Sequence, residues 1–185
     1  MNHLATSKED ILAASRDLIK ENGWAAVSIR AVASRCSVSA GTIYNYYESK
    51  ADLLSDTIES IWNEIFFHPE DEQIFHDVES CISWIYERLE YGNRQFPGFF
   101  SLHSFGFMRD EKTSGKKRMM KTWGHILNGL CEVLENDPKV RADVFDQEFT
   151  EKKFADILFS LILVSMIRQD YDPSSVLMLV KKTLY

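Results

Sequence analysis

Residues 37–54 read Ser-Val-Ser-Ala-Gly-Thr-Ile-Tyr-Asn-Tyr-Tyr-Glu-Ser-Lys-Ala-Asp-Leu-Leu and gather the groups of this chain best suited to contact a phosphate backbone and a base edge. Small residues come first, followed by the Thr42 hydroxyl, the Tyr44, Asn45 and Tyr46 side chains, and a single cation at Lys50. Either Ser39 or Ala40 should open a short helix here, so that the N–H groups of Gly41 and Thr42 point at an anion while the Thr42 hydroxyl adds a donor. Asn45 is the side chain best able to read a base edge, because its amide pairs bidentately with adenine. Tyr44, Asn45 and Tyr46 lie on successive faces of such a helix, so at least one must turn inward. Arg30, near the start of the preceding segment, can reach a phosphate or a base.

The elements that must position these groups are legible on both sides. Residues 28–35 form one short helix with Ile29, Val32 and Ala33 on its inner face, at the i, i+3, i+4 spacing of a buried stripe. Two short helices joined by a tight turn are the minimal device for placing one of them in a major groove. Upstream, Ser7 and Asp10 have the spacing of a capping box that opens a first helix, striped by Ile11, Leu12, Ser15, Leu18 and Ile19 and stopped at Gly23. Ser49 and Asp52 repeat the device at the head of a longer helix carrying Leu53, Leu54, Ile58, Ile61, Trp62, Ile65 and Phe66 as far as Pro69.

Taken together, Asn22-Gly-Trp24, Ser28-Ile-Arg30 and the run from Val38 to Leu54 resemble the N-terminal domain of the tetracycline-repressor (TetR) family of bacterial transcription regulators. The resemblance covers roughly residues 8–54. It implies that Tyr44 and Asn45 face the groove and that Tyr46, Lys50 and Ser28 anchor phosphates. Two positions depart from the family pattern: Ser37 stands where glycine is usual and Tyr47 where phenylalanine is usual. A left-handed Ser37 costs on the order of 1 kcal/mol relative to glycine. Tyr47 is expected in the core, with its hydroxyl reaching water.

The charge distribution is uneven. Residues 1–50 carry six Lys/Arg against five Asp/Glu, whereas the whole chain of 185 residues has a net charge of -7. An acidic body would be repelled by phosphate and kept facing away from a duplex. The first seven residues contain no Lys or Arg, so an N-terminal arm should add little affinity. With 45% hydrophobic residues the chain can bury a substantial core. Neither a signal-peptide pattern nor a run of ~20 apolar residues is present, so no membrane association and a cytoplasmic location are expected. Cys36, Cys81 and Cys131 are odd in number and widely spaced, which suits a reducing compartment and buried packing.

Helical periodicity extends over the remainder, and strand alternation is absent, so an all-α fold is expected. Its parts would be a three-helix helix-turn-helix DNA-binding domain (1–50) and a linking helix into a larger helical ligand-binding and dimerisation domain (51–185). Helices are predicted near 71–94, 97–110, 116–135, 150–169 and 173–184, with 136–149 as the most mobile loop. Of 12 Phe, 7 Tyr and 4 Trp, only Trp24, Tyr44, Tyr46 and Tyr47 precede residue 51. Trp62, Phe66, Trp84, Phe99, Phe100, His103, Phe107, Trp123 and Ile126 are candidates to line an apolar pocket, with Tyr86, His125 and Asn128 as polar groups.

The broad apolar surface of 150–169 and 173–184 exceeds what a one-sided helix needs. The resemblance implies that this pair forms a four-helix bundle with its symmetry mates, giving a homodimer suited to a palindromic operator on double-stranded DNA. It also implies a small-molecule inducer. An aromatic pocket in an acidic domain favours an apolar or lipophilic cationic one. The alternative is a DNA-binding regulator without a small-molecule ligand, controlled by a protein partner or acting constitutively. No nucleophile and base occur as a set, the five histidines lack metal-ligand spacing, and Ser114 with Lys117 matches S-x-x-K only formally, so neither an enzyme nor a cofactor or metal site is expected.

Overall fold

The computed structural model describes residues 6–66, 75–100 and 114–185, with 114–122 described by backbone alone. Among them every regular element is helical. His103 and Phe107, and most of the helix expected over 97–110, lie outside the described residues.

One compact unit comprises residues through Phe66 together with Gln95–Pro97. Helix α1 (Lys8–Asn22) opens on the capping box: Ser7 Oγ accepts from Asp10 N–H at 3.1 Å and Asp10 Oδ2 accepts from Ser7 N–H at 2.8 Å. It buries Ile11, Ala14, Ser15 and Ile19, with the Ser15 hydroxyl donating to the Ile11 carbonyl at 2.8 Å. Gly23, at φ 77°, ends it and a 3-10 turn over Trp24–Ala26 follows. Helix α2 (Ile29–Arg35) buries Ile29, Val32 and Ala33, the stripe expected. Helix α3 (Ala40–Tyr44) is only five residues long. Helix α4 (Lys50–Phe66) packs on α1. Its capping pattern is shifted by one residue: Ser49 Oγ accepts from Asp52 N–H at 3.1 Å, but Asp52 returns to Glu48 N–H at 3.4 Å. By its packing α4 falls in this unit, whereas the division at residue 50 separated it.

The other unit holds α5 (Val78–Gln95), α6 (Ser114–Asn136), α7 (Glu151–Arg168) and α8 (Ser174–Leu184). Helix α5 starts later than the predicted residue 71 because Asp77 caps it, accepting from Ser80 N–H at 2.8 Å. The Lys139 ammonium, 2.7 Å away, and the Ser80 bonds hold the Asp77 carboxyl at about 2. The segment 137–149 is anchored, contrary to the mobile loop expected there. Asp137, 6% exposed, accepts from Val78 N–H, Lys139 N–H and the Tyr185 hydroxyl. Arg141 N–H donates to the Leu184 carbonyl at 2.9 Å, and the Phe145, Phe149 and Phe154 rings pack together in tilted and edge-on contacts. Mixed charge suggested a solvated loop, yet two of those charges are the anchors.

Helix α7 buries Phe154, Ala155, Leu158, Ile162 and Met166 along one stripe, and α8 buries Val176, Val180 and Leu184. A second apolar stripe points outward: Ile157, Val164 and Ile167 on α7, with Met178 and Leu179 on α8, are 38–58% exposed. No helix among the described residues is long and apolar enough to cross a membrane.

Candidate nucleic-acid interface

The turn between α2 and α3 is a complete Schellman motif. Val38 N–H reaches the Ala33 carbonyl at 2.9 Å and Ser37 N–H the Ser34 carbonyl at 3.1 Å, with Ser37 in the left-handed region at φ 56°. The strain expected of a serine at this position is therefore present. Beyond it, Ser39 in extended geometry caps α3. Ile43, fully buried, pins the helix to the core, and Tyr47 is 1% exposed beneath it. The Tyr47 hydroxyl is buried with its ring, which corrects the expectation that it reaches water.

With Ile43 and Tyr47 inward, the opposite side faces out. Tyr44 is 56% exposed, the second-highest value among the large apolar side chains left at the described surface, and Asn45 and Gly41 are exposed beside it. Asn45 is the residue that closes α3, still in right-handed geometry at φ -73°, so it continues the helical path one step past Tyr44. Ser28 caps α2, accepting from Ala31 N–H at 3.1 Å, a role that leaves its own hydroxyl hydrogen available. Arg30, second residue of α2, and Lys50, first residue of α4, are both exposed.

Two expected contacts change character. The Thr42 N–H is taken by the cap, donating to Ser39 Oγ at 3.2 Å and the Ser39 carbonyl at 3.0 Å, so Ala40 and Gly41 hold the first-turn donors free of the helix ladder. The Thr42 hydroxyl lies 3.0 Å from Ser39 Oγ, forming one hydroxyl pair. Tyr46 is half-buried and its hydroxyl donates to the Thr6 carbonyl at 2.7 Å, so its hydrogen is directed inward and away from any phosphate. A backbone acceptor 40 residues upstream leaves no trace in local spacing.

The aromatic candidates are found in pairs. Within the first unit Trp62 and Phe66 are buried and stacked at 5.5 Å. Within the second, Phe99 and Phe100 are buried and meet edge-on at 5.2 Å, while Trp84 packs on Phe75 at 5.3 Å. Trp123 and Ile126 are half-buried on α6, Trp123 meeting Phe159 of α7 at 5.9 Å. His125 and Asn128, on the opposite side of the same helix, are exposed, which corrects their assignment to a pocket. Tyr86 is buried with its hydroxyl 2.9 Å from that of Ser165. Sequence reasoning missed Tyr171, which packs on Phe100 at 6.3 Å and whose phenol burial pushes up to about 12.

Residues 11–57 match the model of the family described as bacterial regulatory proteins, tetR family. The HTH-type transcriptional regulator UidR of Escherichia coli is 38% identical over 48 residues, 26% of this chain and 24% of that relative, so the match spans about a quarter of the relative's length. The transcriptional regulator FadR from Bacillus subtilis, solved in complex with stearoyl-CoA, shares the fold over 97% of this chain and all of its own, with a TM-score of 0.68 at 17% identity. A TetR transcription regulator from Haloarcula marismortui does so over 96% of this chain and 95% of its own, with a TM-score of 0.65 at 18% identity.

Proposed function

We propose, from the match of residues 11–57 to the tetR family of bacterial regulatory proteins, that the chain is a homodimeric, sequence-specific DNA-binding repressor of that family, released from its operator by a small apolar or lipophilic cationic ligand. The observation that carries the DNA-binding part is the two-faced α3: Ile43 fully buried on one side, Tyr44 and Asn45 exposed on the other. An exposed tyrosine beside an exposed amide, on a helix held by a second helix through a fixed turn, fits a major groove. Ser28, Ser39, Gly41, Thr42, Arg30 and Lys50 surround that face and would set its register on the backbone.

Dimerisation is supported by the outward apolar stripe of α7 and α8, which a second copy would cover around a two-fold axis. A palindromic operator then meets two α3 helices, spaced roughly 34–36 Å or a multiple of it. The ligand part is supported by the aromatic content of the second unit. FadR of Bacillus subtilis, which shares this fold, was solved in complex with stearoyl-CoA, an amphiphile with a long apolar chain. Release requires preference, not tight binding alone: reversing a 99:1 bias takes about 5.5 kcal/mol of differential affinity. A second reading, regulation without a ligand, is favoured by the complete burial of Phe99 and Phe100, at 0% and 1% exposure, as packed core.

The test is selection of genomic fragments by the purified protein, beside a Tyr44→Ala, Asn45→Ala variant. A palindromic motif that the variant loses is the expected result, and equal enrichment by both proteins would refute the assignment of α3. A thermal-shift screen separates the two regulatory readings, since ligand at 100 times its Kd adds about 2.7 kcal/mol.

A further inference from the structure

The first unit holds six basic side chains, Lys8, Arg16, Lys20, Arg30, Arg35 and Lys50, against nine carboxylates between Glu9 and Glu64. Four of the six are committed to those carboxylates. Lys8 reaches from α1 to Asp56 of α4 at 2.5 Å, and Asp56 is 8% exposed. Arg16 joins Glu9 at 2.9 Å and Glu64 at 3.0 Å, while Lys20 takes the other Glu64 oxygen at 2.7 Å. Arg35, at the end of α2, donates twice to Glu21 at 2.8 and 2.5 Å, with Asp17 at 3.9 Å. Arg30 and Lys50 are exposed and have no carboxylate partner among the described residues.

We infer that the head presents two phosphate-neutralising side chains per subunit, Arg30 and Lys50, and that Lys8, Arg16, Lys20 and Arg35 are internal braces; this rests on the regulator reading above. A cation within hydrogen-bonding distance of a carboxylate adds almost no net field beyond the pair, and moving it to a phosphate strands the acid it leaves. For Lys8 that acid is the buried Asp56, whose unpaired charge is costly. For Arg16, whose side chain is 16% exposed, two acids would be abandoned together. Lys8 is the most exposed of the four at 58%, yet its ammonium is held on the buried Asp56; Arg35, at 39%, has its guanidinium fixed against α1 by a two-pronged bond to Glu21. The first unit therefore binds DNA chiefly through neutral hydrogen-bond donors and base contacts.

The consequence is a shallow salt dependence. Counterion release gives a slope of log affinity on log salt of about -0.9 per neutralised phosphate. Four side chains per dimer give about -3.6, a loss of roughly 150-fold between about 50 and 200 mM salt, whereas all twelve would give about -10.8 and more than a millionfold.

The experiment is a salt titration of the full-length protein on the duplex recovered by genomic selection, using wild type, Arg30→Gln, Lys50→Gln and Arg35→Gln. The expected result is a wild-type slope near -3.6, flattened to about -1.8 by either of the first two changes and untouched by the third. Arg35→Gln should lower the melting temperature instead. A wild-type slope steeper than about -7, or flattening by Arg35→Gln, overturns the inference. Absence of binding by folded wild type at low salt would remove the regulator reading itself, an outcome distinct from a steep slope.

Discussion

Replacing Ser37 by glycine should stabilise the DNA-binding unit while leaving its DNA affinity unchanged. Ser37 sits at φ 56° in the turn between α2 and α3, where its Cβ crowds the following carbonyl. That conformation costs a residue with a Cβ roughly 1–2 kcal/mol. Glycine removes the cost, but it also widens the unfolded ensemble, a loss of about 0.4–1 kcal/mol. The difference leaves a net gain of about 0.5–1 kcal/mol, because the exposed Ser37 side chain contributes no hydrogen bond that would be lost. The two backbone bonds that define the turn, from Val38 N–H and Ser37 N–H, survive the change. With an m-value of about 1–3 kcal/mol/M, the urea midpoint should rise by roughly 0.2–1 M at constant m. Ser37→Ala is the control: it keeps both Cβ and φ, so its midpoint should barely move. A gain equal to that of glycine in the alanine variant would refute the strain argument, as would a neutral or lower midpoint for Ser37→Gly.

Three further outcomes are expected. Gly41→Ala should fold as well as wild type or slightly better, since a Cβ there would meet only Ser39 Oγ at 3.6 Å, and alanine is about 0.5–1 kcal/mol better than glycine within a helix; its DNA affinity, by gel shift, should nevertheless fall because the methyl group stands between α3 and the backbone it approaches. The Asp77 carboxyl is held at about 2, below its ordinary 3.8, chiefly by the Lys139 ammonium, so its contribution is full above about pH 4 and disappears as pH falls toward about 2; Asp77→Asn should reduce stability at neutral pH and shrink the loss seen on acidification across that window, measured by denaturation midpoints. Burial pushes the Cys81 thiol to about 12, so a thiol reagent at neutral pH should modify at most Cys36 and Cys131 in the native protein and all three cysteines in denaturant.

What could be read from sequence follows the range of the interaction that decides it. The Ser7 and Asp10 box, the Gly23 stop, the α2 stripe and the left-handed Ser37 are each settled within five residues, and spacing exposes them. Asp77 is a local cap too, but the apolar run continuing upstream to Ile74 masked it. The aromatic body is a different case, because apolarity records that a side chain leaves water and not whether its far side meets protein or ligand. Phe99, Phe100 and Trp62 satisfy both descriptions equally, and only the exposed positions on α6, His125 and Asn128, were decided by the helix's own rotation.

Charge shows the same limit with a larger consequence. Counted to residue 50, the head holds one more cation than carboxylates; extended through α4, it holds three fewer. The partners that change the meaning of Lys8, Arg16 and Lys20 lie 44–48 residues away on α4, a separation no local pattern reveals. A count of basic residues treats each as an available phosphate ligand, whereas the packing of α1 on α4 assigns half of them to holding those helices together. On the proposed reading, the acidic α4 leaves the exposed face of α3 to act through Tyr44, Asn45 and the small hydroxyls, beside Arg30 and Lys50. A head of this kind gains little from non-specific attraction to a duplex, so its discrimination between sites should be large relative to its total affinity.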